Sequence, residues 1–162
     1  MTIHFHEEDL SADASFADGP IAVDTEAMGL MPGRDRLCLV QLADGKGDEH
    51  LVRFGPDSDY SAPRLKALLG DPNRLKLYHF ARFDVAIMQA YLGIMAAPLY
   101  CTRTASRLIR TYTDRHGLKE KLDERLAREN RVELAQACFD FLPTRALLDL
   151  AGWAEQDIFA HA

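Results

Sequence analysis

The stretch Ile21-Ala22-Val23-Asp24-Thr25-Glu26 joins three apolar residues directly to two carboxylates that are separated by one threonine. The apolar residues predict a buried strand, because β-branched side chains fit a pleated surface. Alternate side chains of a strand share a face, so Asp24 and Glu26 are expected to project to the same side. Neighbouring carboxylates at the end of a buried strand repel each other, and a divalent cation with oxygen ligands offsets that repulsion. The alternative is a strand that runs out into solvent, where acidic residues are common.

The composition is typical of a globular protein with a proper core. The chain has 162 residues, of which 48% are hydrophobic, and a formal net charge of −6. No apolar run approaches the roughly 20 residues of a membrane span, and the N-terminus lacks the pattern of a secretory signal. Cys38, Cys101 and Cys138 are odd in number and far apart, which argues against a disulfide framework and against a cysteine-based zinc site. We therefore expect one cytoplasmic domain over residues 1–162 with no membrane contact.

Hydrophobic patterning predicts strands in the first half of the chain and helices in the second. Strands are predicted at 3–6 (an edge strand), 21–26, 37–42, 50–54 and 75–79, with an extended piece around Leu99. Helices are predicted at 63–69, 81–92 and 102–112, and again from Leu118 onward. This order predicts an α/β domain with a mixed sheet, an antiparallel meander and flanking helices. Its core would span about 1–118, followed by C-terminal helices at about 119–162.

A second polar cluster, His79-Phe80-Ala81-Arg82-Phe83-Asp84, lies where a predicted strand ends and a helix begins. Sites in open α/β sheets are commonly found at such a place. Asp84 falls in the first turn of the helix, where the helix dipole favours an acidic residue in any case. Taken alone, Asp84 is therefore compatible with a site and with simple helix stabilisation.

The two clusters together resemble the first two motifs of the ribonuclease D branch of the DEDD 3′–5′ exonucleases. The segment 36–42 is similar to the family's second strand, and the segment 100–108 is similar to the one after its second motif. The resemblance covers about residues 1 to 120 and is greatest to the short bacterial members. It implies an RNase H-like exonuclease fold and a 3′–5′ exoribonuclease that hydrolyses phosphodiester bonds at the 3′ end of single-stranded RNA.

The resemblance also implies a set of site residues. Asp24, Glu26 and Asp84 would be catalytic and would bind two divalent ions, Mg²⁺ or Mn²⁺. In the family's arrangement, Asp24 bridges both ions, Glu26 holds the one that generates the nucleophile, and Asp84 holds the other. For substrate, an exposed Phe80 could stack on a base and Met28 could wedge against the terminal base. His79 fits a structural hydrogen-bonding role near the substrate, and core packing is the simpler role for Phe83.

A local basic segment interrupts the acidic chain. Six Lys or Arg residues and two acidic residues lie between positions 100 and 121. Arg103, Arg107 and Arg110 are spaced by four and three, so they would share one face of the predicted helix. An ordinary solvated helix face explains any one of these arginines, whereas the group together indicates contact with phosphates.

The third motif of the family, a tyrosine followed by three residues and the fourth metal-binding aspartate, has no match after Tyr112, the last tyrosine in the chain. The most similar pattern in the chain is Trp153 followed by three residues and Asp157. One explanation is a degenerate third motif at these two positions. The other, which we favour at this point, is that the motif-bearing segment is missing between about 112 and 122.

Three functions remain open at the level of sequence. The first is the exoribonuclease described above. The second is a catalytically inactive nucleic-acid-binding module of the same fold, and the third is a DNA-directed 3′–5′ exonuclease. The last uses a histidine before its final aspartate, and His161 precedes no aspartate at that spacing. The physiological substrate and the oligomeric state do not follow from the sequence.

Overall fold

A computed structural model of the chain describes residues 2–45 and 48–117. The chain divides into two compact units, Met1–Cys101 and Thr102–Ala162. The organisation of residues 1–162 as one domain stays a prediction. The predicted C-terminal helices lie outside the described residues.

The first unit is built on a mixed sheet whose described strands have the order β1-β4-β3-β2-β5-β6. The bounds are β1 Thr2–Glu7, β2 Ile21–Ala27, β3 Leu37–Ala43, β4 Asp48–Arg53, β5 Lys76–Tyr78 and β6 Leu99–Cys101. β2, β3 and β4 form the predicted antiparallel meander, and β1 lies at the edge, parallel to β4. On the other side of β2, the strands β5 and β6 continue the sheet in parallel. The predicted α/β class with a mixed sheet is confirmed.

The described helices are α1 Pro63–Gly70, α2 Arg82–Tyr91 and, in the second unit, α3 Thr102–Ile109. α3 is shorter than predicted, because it ends at Ile109 and not near Tyr112. Its last helical bond runs from the Arg110 N–H to the Ser106 carbonyl at 2.8 Å, and β-branched Thr111 is a poor residue with which to continue a helix. No helix of the described part is long and apolar enough to cross a membrane.

The core of the first unit lies between the sheet and α2. Ile21 and Val23 of β2 are buried in one hydrophobic cluster with Ile87 and Met88 of α2. This packing follows from the period of the sequence, since alternate residues of β2 and one stripe of α2 are apolar. The same packing fixes the first turn of α2, with Asp84, close to the end of β2.

Candidate active site

Asp24 and Glu26 lie in the C-terminal half of β2, beyond the short stretch that pairs with β5. That parallel pairing involves only Ile21 and Ala22 of β2. On its other side, β2 stays paired with β3 in regular register as far as Glu26. Regular alternation therefore puts Asp24 and Glu26 on the same face of the sheet, and both residues are half-buried.

Asp84 reaches the same end of the sheet from the first turn of α2. Its residue is only 4% exposed, and its Oδ1 accepts a 2.8 Å hydrogen bond from the hydroxyl of Thr25. β5 ends at Tyr78 and the chain enters α2 four residues later. Because the carboxyl ends of parallel β2 and β5 meet at one edge, this connection brings Asp84 to β2.

The charge of Asp84 acts on the ionisation of both Asp24 and Glu26. Burial raises the pKa of Asp24 to about 7, and the charges of Asp84 and then Glu26 add to the rise. Burial, followed by the charge of Asp84, also raises the pKa of Glu26. Burial raises the pKa of Asp84 to about 6, while the hydrogen bond from Thr25 acts in the opposite direction. This end of the sheet therefore brings together three acidic residues whose charged forms are disfavoured, by burial in all three and by a neighbouring charge in Asp24 and Glu26.

The carboxylates nevertheless do not form a ready three-ligand centre. Within residues 2–45 and 48–117, no three His, Cys, Asp or Glu side chains are grouped so that they could hold a metal ion together. The joint binding of two divalent ions by Asp24, Glu26 and Asp84 stays a prediction. Mutual repulsion favours separation of the carboxylates, and Thr25 holds Asp84 by one of its oxygens. The donor set still suits a hard divalent cation, since Mg²⁺ is commonly held by one or two carboxylates together with water.

Three other residues are predicted for this site. Phe80 is 46% exposed and has a positive φ of 79°, a strained conformation for a side chain other than glycine. Met28 directly follows β2 and its backbone N–H donates to the Arg36 carbonyl at 3.0 Å. His79 is half-buried between β5 and α2. Phe83 packs against the hydrophobic core, as its simpler interpretation predicts.

The basic residues belong to the second unit. Arg103 and Arg107 lie four residues apart on α3, and Arg107 is exposed whereas Arg103 is half-buried. Arg110 lies just past the end of the helix, so the three do not share one helix face as predicted. The guanidinium of Arg110 lies 6.0 Å from the ring centroid of Tyr112, which is a cation–π distance.

Sequence reasoning missed three polar residues around the carboxylates. Thr25 holds Asp84, and its position between the two acidic residues of β2 was a usable signal. Tyr78 is buried, and the pKa of its phenol is raised by burial and by the nearby charge of Asp84. Gln41 lies directly opposite Asp24 on β3, which no local pattern in the sequence reveals.

The third motif remains without a match. The absence of the motif-bearing segment between about 112 and 122 stays a prediction, because the described residues end at 117. Trp153 and Asp157, the most similar pattern in the chain, lie outside the described residues.

Comparison with known proteins decides the family. A family model described as 3′–5′ exonuclease matches residues 2–140. The chain belongs to the 3′–5′ exonuclease family. The matched region contains both acidic clusters, so the resemblance to the DEDD exonucleases is confirmed, and with it the RNase H-like fold.

Two relatives indicate which members of the exonuclease family are similar to this chain. Brucella melitensis NrnC bound to pGG is 40% identical with a TM-score of 0.72, and the match covers 100% of both chains. The same protein with bound Mg²⁺ is 40% identical with a TM-score of 0.69 and the same coverage. Ribonuclease D of Zymomonas mobilis is 31% identical over 86 residues, and the chain spans only 22% of its length. The chain is thus a 3′–5′ exonuclease homologue of the ribonuclease D and NrnC type.

Proposed function

We propose that the protein is a metal-dependent 3′–5′ exoribonuclease that removes nucleotides from the 3′ end of single-stranded RNA. The observation that carries the proposal is the meeting of Asp24, Glu26 and Asp84 at one end of the sheet, where each lies near another negative charge. A binding module that contacts only phosphates would gain nothing from carboxylates there, because they repel the substrate. A cation bound between the carboxylates offsets their repulsion of one another and their repulsion of the substrate phosphates.

Each residue then has a defined task. Asp24, Glu26 and Asp84 would hold Mg²⁺ or Mn²⁺, and Thr25 would orient Asp84 through its 2.8 Å hydrogen bond. The chemistry supplied by two bound ions is the activation of water and the stabilisation of the leaving oxygen. Phe80 offers an exposed ring for a base to stack on. His79 directly precedes it in the chain, and Met28, which follows β2, would wedge against the terminal base. Arg103, Arg107 and Arg110 would contact backbone phosphates.

RNA is the proposed substrate because the printed names of two relatives support it. The name of the Zymomonas mobilis relative is Ribonuclease D, and NrnC, similar over its whole length, binds pGG. Its Mg²⁺-bound form also supports the use of a divalent ion. We also propose a cytoplasmic location.

A degradation assay tests the proposal. Single-stranded RNA labelled at its 5′ end should be shortened one nucleotide at a time in the presence of Mg²⁺ or Mn²⁺ and stay intact in EDTA. A DNA strand of the same sequence serves as the matched substrate, and the Asp24→Asn variant as the inactive control. Faster degradation of DNA would replace RNA as the substrate, and cleavage that persists in EDTA would contradict metal dependence.

A second candidate follows from the missing third motif. No tyrosine follows Tyr112, and the fourth aspartate has only Asp157 as a substitute. A site that has lost a ligand can still hold a 3′ end without cutting it, and the protein would then be a nucleic-acid-binding module. Retention of labelled RNA in a filter-binding assay, without any shortening in either metal, would favour this candidate over the exoribonuclease.

A further inference from the structure

Gln41 lies in the middle of β3, where its backbone is paired with that of Asp24 on β2. Residues directly opposite each other in an antiparallel pair share a face of the sheet, and their Cβ atoms lie about 4.5–5.5 Å apart. On the other side, Gln41 faces Leu51 of β4, which is apolar. The nearest polar neighbour in its own row of the sheet is therefore Asp24.

The amide of Gln41 is buried and has no partner among the described residues. The residue is 1% exposed, and neither Nε2 nor Oε1 makes a hydrogen bond within residues 2–45 and 48–117. Buried polar side chains are bonded in the large majority of cases, because an unpaired one lowers stability. A glutamine that served packing alone would be replaced at no loss by methionine or leucine, so its amide requires another explanation.

Among the described residues, Asp24 lacks a side-chain hydrogen-bond donor, which the amide of Gln41 could supply. Its carboxylate is half-buried beside Asp84 and Glu26, and its charged form gains a hydrogen bond from the Thr25 backbone N–H. No side chain in the described part of the chain donates to Asp24. Carboxylates that bind a metal are ordinarily held by such a donor in turn, which fixes the orientation of the oxygen atoms.

We infer that Gln41 is a positioning residue for Asp24, whose amide N–H donates to the Asp24 carboxylate when a divalent cation is bound. This inference rests on the proposed metal-dependent function. One carboxylate oxygen would accept from Gln41 and the other would be left to the cation. The amide oxygen is then available to a water molecule, which Mg²⁺ sites usually retain.

The test compares Gln41→Met and Gln41→Leu with the wild type and with Leu39→Met as the matched control. Leu39 lies on the same face of β3, opposite Glu26, and carries no polar group. Binding of Mg²⁺ and of Mn²⁺ alone is measured by calorimetry, and thermal unfolding is measured in EDTA. Both Gln41 variants should bind metal about 10–100-fold more weakly. In EDTA their Tm should rise by about 2–4 °C, since a buried unpaired amide has been removed. Leu39→Met should leave metal affinity unchanged.

The possible failures are distinct. Unchanged metal affinity in both Gln41 variants overturns the inference. A lowered Tm in EDTA, or failure of both variants to fold, also overturns it, because the amide would then have a partner in the metal-free protein. If the wild type itself binds neither ion, the proposed metal-dependent function is wrong and the role of Gln41 is rejected with it.

Discussion

The Thr25 hydroxyl donates a 2.8 Å hydrogen bond to Oδ1 of Asp84 across 59 positions of sequence. It joins the strand that carries two of the acidic residues to the helix that carries the third. The bond favours the charged form of Asp84, against the effect of burial. Thr25 therefore contributes both to the stability of this end of the sheet and to the ionisation of the site.

Thr25→Val keeps the shape of the side chain and removes its hydroxyl. We expect a loss of about 1–3 kcal/mol in the free energy of unfolding, because Asp84 stays buried with one bond fewer. The pKa of Asp84 should rise further, so that activity at neutral pH declines. Urea denaturation and the pH dependence of RNA degradation measure these effects. Thr25→Ser keeps the hydroxyl and should retain most of both properties; an equal loss in the serine variant would show that the methyl group matters instead.

Asp24→Asn should abolish hydrolysis and leave the fold intact. In the metal-free protein, burial and the neighbouring charges raise the pKa of Asp24 from 3.8 to about 7. A carboxyl whose pKa is raised on folding stabilises the protein while it is protonated, and this contribution is lost as the pH rises through the folded value. The variant should therefore match the wild type near pH 3.8 and be the more stable protein above about pH 7. Thermal unfolding in EDTA across this range measures the difference. Hydrolysis by the variant at the wild-type rate would contradict the proposed mechanism.

The pair of histidines on β1 and β4, at one edge of the sheet, should make the free energy of unfolding fall in mild acid. His6 Nε2 and His50 Nδ1 lie 2.9 Å apart in a buried contact. Burial first, and then neighbouring histidines, lower the pKa of both from 6.5. The unfolded chain therefore binds more protons, so this contribution is complete above pH 6.5 and declines below it.

His50→Phe isolates this effect, because the carboxylates of the site change stability in the opposite direction over the same range. The loss of unfolding free energy between about pH 7.5 and pH 5.5 should be smaller in the variant than in the wild type. Urea denaturation at both pH values gives the comparison. Equal losses in the two proteins would show that the histidine pair does not titrate in this range.

Arg107→Gln tests the basic segment. The side chain is exposed on α3, so its removal should weaken RNA binding with little effect on stability. For single strands, the slope of log affinity against log salt should fall by about 0.7 for one lost phosphate contact. Fluorescence anisotropy in the presence of EDTA measures binding without degradation. Lys66→Gln on α1 makes the same change in net charge, and an identical slope in both variants would exclude a specific contact by Arg107.

The order of residues in the chain predicted the parts of the site that depend on local periodicity. The common face of Asp24 and Glu26 follows from the two-residue period of a strand. The position of Asp84 in the first turn of a helix follows from the apolar stripe that contains Met88. Both expectations use only neighbours within a few positions, and the structure agrees with them.

Features that depend on pairing between distant segments did not follow from the sequence. The alignment of Gln41 with Asp24 depends on the register of β2 and β3, which shifts between Glu26 and Ala27, and a one-residue slip would turn Gln41 to the other face. Lys76 is completely buried, although lysine is rarely so. Its ammonium donates to the carbonyls of Asp71 at 2.7 Å and Ala97 at 2.6 Å, contacts that only the folded chain brings together.

The position of β2 in the sheet has a consequence for the order of events in folding. β2, β3 and β4 follow one another in the chain and pair as neighbours, whereas β5 joins β2 only after α1 has intervened. Contacts between near segments close short loops and form at a lower entropic cost than distant ones. The meander can therefore form early with Asp24 and Glu26 already aligned. Asp84 arrives only when β5 and α2 dock, so a folding intermediate that holds the meander alone is spared most of the charge repulsion of the finished site.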